Sequence, residues 1–155
     1  MARGHRNPDD EAIRDLLARA RRIAVVGLSP KPHRDSNRVA RYLLERGYEI
    51  VPVYPREEHI LGRQVYRRIR DIPGGVDLVD VFRRSSELHA VFDDGLAARA
   101  PAFWLQYGCI DEEGAARAAA QGAVVVMDRC IMVDHAALLG RDWRAAAPDP
   151  VTPAR

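Results

Sequence analysis

Little in this sequence provides for a membrane, an oxidising compartment or a metal. No apolar run approaches the roughly 18 residues that a membrane span needs, and the opening MARGHRNPDD has no apolar stretch of signal-peptide type. A cytoplasmic protein is therefore expected. Cysteine is scarce: Cys109 and Cys130 lack CxxC spacing and have no cluster of histidines near them, which argues against a disulfide scaffold and a zinc site. Neither sign of charge dominates. Lys plus Arg number 24 against 22 acids, and the resulting +2 is too small to make duplex DNA or an anionic membrane the main partner. An anion site, if there is one, must be local. There is no internal repeat, no metal cluster and no evident pairing of a nucleophile with a base, so no catalysis is expected of the chain by itself.

What is present is a sustained alternation of short apolar runs and amphipathic stretches. At 155 residues and 47% hydrophobic, the chain can bury one three-layer domain. Asn7, Pro8 and the acids after them read as the start of a helix carrying Ile13, Leu16, Leu17 and Ala20 on one face. Ile23 to Val26 is a continuous apolar run of the buried parallel type, ending at Gly27. Val39, Leu43 and Leu44 mark a second helix closed by Gly47, and Glu49 to Val53 a second strand, which completes a right-handed strand-helix-strand unit. Residues 56 to 75 are polar and broken by Gly62, Pro73, Gly74 and Gly75, with a brief strand read at Val65-Tyr66. Strands follow at Leu78 to Phe82, Ala102 to Leu105 and Ala123 to Met127. Between them come a helix capped by Ser85 and Glu87 and another opened by Asp111, and Asp134 is read as the cap of a last short helix. The expected fold is α/β: a Rossmann-like three-layer sandwich, an open and mostly parallel sheet with helices on both faces. It should occupy residues 1–144, with 145–155 a tail too poor in apolar residues to order.

In such a sheet ligands bind beyond the carboxyl ends of the strands, at the switch point beside the first one. The loop there carries Ser29, Lys31, His33, Arg34, Ser36 and Asn37 and runs into a helix amino terminus, where N–H groups and cations together suit phosphate. Arg56, Arg83 and Arg84, at the ends of neighbouring strands, enlarge the positive patch to fit more than one phosphate. The loop lacks GxGxxG spacing. The second strand ends in Tyr54-Pro55-Arg56 and not in the acid that holds an NAD ribose, so NADP is disfavoured less than NAD.

The segments VVGLSPKPHRDSNRVARYL, GYEIVPVYP with ILGRQVY after it, VDLVDVFRR, FWLQYGC and VVVMDRC, in that order between Ile23 and His135, resemble the small stand-alone CoA-binding protein family. That family is similar to the CoA-binding domain of succinyl-CoA synthetase alpha subunits. The resemblance implies a Rossmann-like fold and coenzyme A, or a short acyl-CoA, as ligand. It also implies that Gly27, Ser29, Lys31, Arg34, Ser36 and Asn37 surround the phosphates, while Pro55, Phe82, Arg83 and Gln106 line the nucleotide and its pantetheine arm. Tyr54 departs from the asparagine that often stands before the second-strand proline. In synthetase-type enzymes the phosphorylated histidine lies in a further domain, for which this chain has no room, so a binding module without chemistry of its own is implied. The alternative is an NADP- or acyl-CoA-using oxidoreductase or ligase component completed by partner subunits. A small-molecule partner is expected, with no nucleic acid and no membrane; no protein partner is indicated.

Several of these residues also have plainer readings. Phe103 and Trp104 belong in a central strand and are read as core. Asp80, a carboxylate inside an apolar strand, is read as an anchor for neighbouring loop amides. Cys109 and Cys130 are read as small buried hydrophobes, with a mixed disulfide between Cys130 and a thiol ligand as the rival.

Overall fold

Local chemistry sets where the elements begin. In the computed structural model, which describes residues 4–145, helix α1 spans Asp10–Arg19. Asp9 accepts a hydrogen bond from the Ala12 N–H, and Asp10 and Glu11 put negative charge at the amino end. Asn7 lies too early to cap it. Its side-chain amide instead grips the main chain of Met127, donating to the carbonyl (2.9 Å) and accepting from the N–H (2.8 Å).

Five strands form one parallel sheet: β1 Arg22–Val26, β2 Glu49–Val53, β5 Leu78–Val81, β6 Ala102–Leu105 and β7 Val124–Met127, in the spatial order β2-β1-β5-β6-β7. The strands are buried nearly end to end, which is why they read as continuous apolar runs and not as alternating ones. The two-residue strands β3 (His59–Ile60) and β4 (Arg63–Gln64) pair as a separate hairpin. The strand expected at Val65-Tyr66 is displaced to β4, and Tyr66 makes only a single parallel bridge to Val53.

Helices α1, α2 (Asp35–Glu45) and α5 (Ile131–Leu138) cover one face; α3 (Leu88–Ala97) and α4 (Glu112–Ala120) cover the other. On the first face Ile13, Leu17, Val39, Leu43 and Ile131 pack with Ile23, Val25 and Trp104. On the second, Leu88, Phe92 and Ala118 pack with Val79, Phe103 and Leu105. Trp104 and Phe103 are adjacent in sequence and 0% exposed on opposite faces. Each such side chain contributes about 1.5–3 kcal/mol by leaving water. The architecture is the Rossmann-like three-layer sandwich that the sequence predicts.

Two expected caps are corrected. Ser85 does not cap α3: it belongs to a short 3-10 turn, Ser85–Glu87, and its hydroxyl donates to the Gly108 carbonyl while accepting from the Ile110 N–H, both at 3.1 Å. Asp134 lies inside α5, which starts three residues earlier, because its carboxylate takes two Arg129 nitrogens at 2.7 and 3.0 Å. Asp111 does cap α4, accepting from the Gly114 N–H.

On the α2 and α5 side, Tyr42, Tyr48, His135 and Trp143 form an aromatic cluster. His135 is fully buried. Its Nδ1 lies 2.9 Å from the Tyr42 hydroxyl and its Nε2 has no partner. Burial, then the charges of Arg46 and Arg144, pull its pKa down to about 4. Ala145 closes over this corner by donating its N–H to the Arg46 carbonyl at 2.8 Å. The rest of the expected tail, 146–155, lies outside the described residues.

Candidate functional site

The chain leaves β1 to one side to form β2 and then crosses to the other side to form β5, so the order reverses between β1 and β5. At that point Gly27 turns with φ +84, and a Cβ on it would stand 2.1 Å from the Phe82 carbonyl oxygen. Glycine is what allows the ends of β1 and β5 to meet and open a crevice.

The loop that follows is held by its own polar residues. The Ser29 N–H donates to the Ser36 hydroxyl (3.0 Å), and the Lys31 N–H donates to the Ser29 hydroxyl (3.1 Å). Asn37 donates from its amide to the Ser29 carbonyl (2.8 Å), while Arg41 bridges the Asn37 side chain and the Pro32 carbonyl. The loop is therefore shaped in advance of any ligand, which spares ordering entropy on binding. Helix α2 then starts at Asp35, and its N-cap residue, Arg34, supplies no side-chain acceptor. Arg34, Asp35 and Ser36 bring this uncapped amino end, the positive end of the helix dipole, to the wall of the crevice.

The crevice is a cavity of about 920 Å³. Gly27, Ser29, Lys31, Arg34 and Ser36 line it from the first loop, and Phe82 and Arg83 line it from the end of β5. These seven of the ten expected site residues share one wall system. The other three do not line it. Asn37 is buried and braces the loop; Gln106 is buried, its Oε1 accepting from the Ile131 N–H at 3.2 Å; Pro55 is exposed beside the lining residues Tyr54 and Arg56. His33, Arg56 and Arg84, which the sequence places at the same strand ends, also line it. Pro30, Asp35, Glu57 and Glu87 complete the walls. Nothing in the sequence singles out the first three, whereas Glu87 could have been found from its i,i+4 spacing to Arg83.

The electrostatics are one-sided. Arg83 stands 3.7 Å from Glu87, and Asp35 is engaged by Arg38 at 2.6 Å. Among the described residues, Lys31, Arg34, Arg56 and Arg84 take part in no ion pair. Four cations outside any ion pair, against one such acid, Glu57, therefore face one cavity beside the uncapped helix start, an excess of positive charge that attracts an anion carrying several charges.

Other titratable groups behave differently. Asp80 lies in β5 in register with Val25 and Trp104, fully buried. Neither carboxylate oxygen has a partner, so the anchoring role expected for it is corrected, and burial pushes its pKa well above the usual carboxylate range. Cys109 is buried with its thiol donating to the Arg83 carbonyl at 3.1 Å, and burial raises its pKa. Cys130 is buried at the start of α5 and does not line the cavity. Among the described residues no three His, Cys, Asp or Glu side chains gather as metal ligands do, and no helix is long and apolar enough to cross a membrane.

Comparison with known proteins gives this geometry a context. A family model described as a CoA binding domain matches residues 21–136. An uncharacterised protein of Bacillus subtilis, YneT, is 42% identical over 130 residues, 84% of this chain and 96% of that one. A hypothetical protein from Pyrococcus horikoshii superposes with a TM-score of 0.84 at 38% identity, covering 90% of this chain and 99% of its own. The alpha subunit of an ADP-forming acetate–CoA ligase from Pyrococcus furiosus is 38% identical over 65 residues, 41% of this chain but 14% of that subunit.

Proposed function

The chain belongs to the CoA-binding domain family, and from that premise we propose that the cavity between β1 and β5 binds coenzyme A or a short acyl-CoA without chemistry of its own. The observation that carries this reading is the convergence of Lys31, Arg34, Arg56 and Arg84, none of them in an ion pair, on one crevice beside the uncapped start of α2. Coenzyme A brings a pyrophosphate, a ribose phosphate and a long neutral arm. The pyrophosphate suits the loop from Ser29 to Ser36, where N–H groups, Lys31 and Arg34 meet. The ribose is assigned to the end of β2, where an acid would repel the 3′-phosphate of coenzyme A and Arg56 attracts it. The pantetheine arm is left to run past Phe82 and Arg83 along the sheet edge toward Gln106. A cavity of about 920 Å³ is at the upper end of the range for small-molecule and cofactor sites.

Binding is proposed as the whole of this chain's contribution because the two serine hydroxyls lining the cavity, of Ser29 and Ser36, accept from backbone N–H groups and neither is hydrogen-bonded to a His, Asp or Glu side chain that could act as its base. The experiment is calorimetric titration of coenzyme A into the protein and into Arg34→Ala. The contact is charge-assisted, so the variant should bind about 10- to 100-fold more weakly, a loss of about 1.5–3 kcal/mol. Unchanged affinity removes Arg34, and with it the assignment of the phosphates to this loop.

A further inference from the structure

Arg67 lies outside the cavity, yet it holds one of the cavity's walls. Its Nη1 donates to the carbonyls of Tyr54 (3.1 Å), Arg56 (3.0 Å) and Glu57 (2.9 Å), gathering three oxygens of the loop after β2 around one charged nitrogen. The backbone just before Arg67 is itself fixed to β2: the Tyr66 N–H donates to the Pro52 carbonyl (2.9 Å), and the Tyr54 N–H donates to the Tyr66 carbonyl (3.0 Å). The guanidinium therefore reaches out from anchored backbone to the middle of a loop that is otherwise held only at its ends, by the Tyr54 N–H and by the Glu58 carbonyl, which accepts from the Val65 N–H at 2.9 Å. Residues 55–58 are exposed, and Glu57 sits at φ +69, a left-handed conformation that a non-glycine residue keeps only when its surroundings impose it.

All three residues clasped in this way, Tyr54, Arg56 and Glu57, line the cavity, and the Arg56 guanidinium lies over the Tyr54 ring at 5.6 Å. In sheets of this kind the end of the second strand meets the ribose, and an arginine there suits a phosphorylated one. A long side chain on an unrestrained loop must lose backbone as well as side-chain freedom to make that contact; on a clasped loop it loses only the latter.

We propose that Arg67 is the positioning residue that sets Arg56 in place, and that through it the site distinguishes a nucleotide with a phosphorylated ribose from one without. The inference rests on the reading of the cavity as a coenzyme A site, and it concerns a residue that touches no ligand. Its effect is confined to the part of the ligand that Arg56 faces. Removing the clasp should therefore change selectivity and not only affinity.

The test is calorimetric titration of coenzyme A and dephospho-CoA into the wild type, Arg67→Ala, Arg67→Lys, Arg56→Ala and the double variant Arg56→Ala/Arg67→Ala. It is accompanied by ¹⁵N order parameters for Arg56 and Glu57. Arg67→Ala should weaken coenzyme A about tenfold and leave dephospho-CoA within about twofold, with partial recovery in Arg67→Lys. In the Arg56→Ala background, loss of Arg67 should cost coenzyme A nothing more. Equal weakening toward both ligands, or a loss that persists without Arg56, overturns the proposal. If the wild type binds no coenzyme A, it is the ligand reading that fails, and the clasp is then judged by the order parameters. They fall in Arg67→Ala if Arg67 holds the loop; unchanged values overturn it.

Discussion

Gly27→Ala is the substitution that the packing condemns most directly. The new Cβ would stand 2.1 Å from the Phe82 carbonyl oxygen, about 1 Å inside the closest approach that such atoms tolerate, and at φ +84. The left-handed conformation alone costs an L-residue about 1–2 kcal/mol. Relieving the overlap requires the ends of β1 and β5 to part. That junction is held by the Phe82 N–H donating to the Val26 carbonyl at 2.8 Å. Losing this bond adds about 1 kcal/mol, and residual strain adds more. The expected loss is about 3 kcal/mol or greater, which lowers Tm by roughly 6–12 °C in a chain of this size. Gly62→Ala is the control: it has φ +73 but open space around the added carbon, so it carries only the conformational cost of about 1–2 kcal/mol. Denaturant unfolding of the two variants beside the wild type measures both. Equal destabilisation, or a Gly27→Ala protein within about 1 kcal/mol of the wild type, refutes the close junction of β1 and β5 on which the site is built.

Two further predictions concern pH. Unfolded His135 takes up a proton near pH 6.5 and the folded residue only near pH 4, so stability held at neutral pH declines as pH falls through that window and levels off below it. The decline is about 3 kcal/mol; His135→Gln should abolish it in urea unfolding followed by tryptophan fluorescence, and an acid profile identical to the wild type would contradict the buried neutral imidazole. Asp80 has the opposite dependence: the unfolded carboxyl ionises near pH 3.8 while the buried one keeps its proton, so the wild type loses stability as pH rises above that value. Relative to Asp80→Asn the gap should widen by up to about 1.4 kcal/mol per pH unit until the folded group titrates, whereas parallel curves from pH 4 to 7 would show that Asp80 is not held protonated.

The fold was legible because its signals are local and repeated. Continuous apolar strands such as Ile23–Val26 and Ala102–Leu105, separated by amphipathic segments, can satisfy their buried faces only in a parallel sheet covered on both sides. The element starts were less legible, since a capping residue is chosen by three-dimensional reach. Asn7 and Asp134 have the right chemistry for caps but are drawn to Met127 and Arg129. Much of the candidate cavity could be read from its position after β1 and β5, where Gly27, Lys31, Arg34 and Arg83 all meet. Asn37 and Gln106 are polar residues of the expected kind whose side chains serve the backbone instead. Arg67 is illegible in the sequence for the converse reason. In sequence it is one charge among several in a polar stretch, and only the folded chain brings the carbonyls of Tyr54, Arg56 and Glu57 around it.

The most direct test of the central claim is a thermal-shift titration of the purified protein against coenzyme A, acetyl-CoA, dephospho-CoA, NAD and NADP. Ligand at 100 times its dissociation constant adds about 2.7 kcal/mol of apparent stability, or roughly 5–11 °C for a chain of this size. The account predicts such a shift with coenzyme A, a smaller one with dephospho-CoA at the same concentration, and little with the dinucleotides. A shift with NADP alone, or with none of the five, would contradict it.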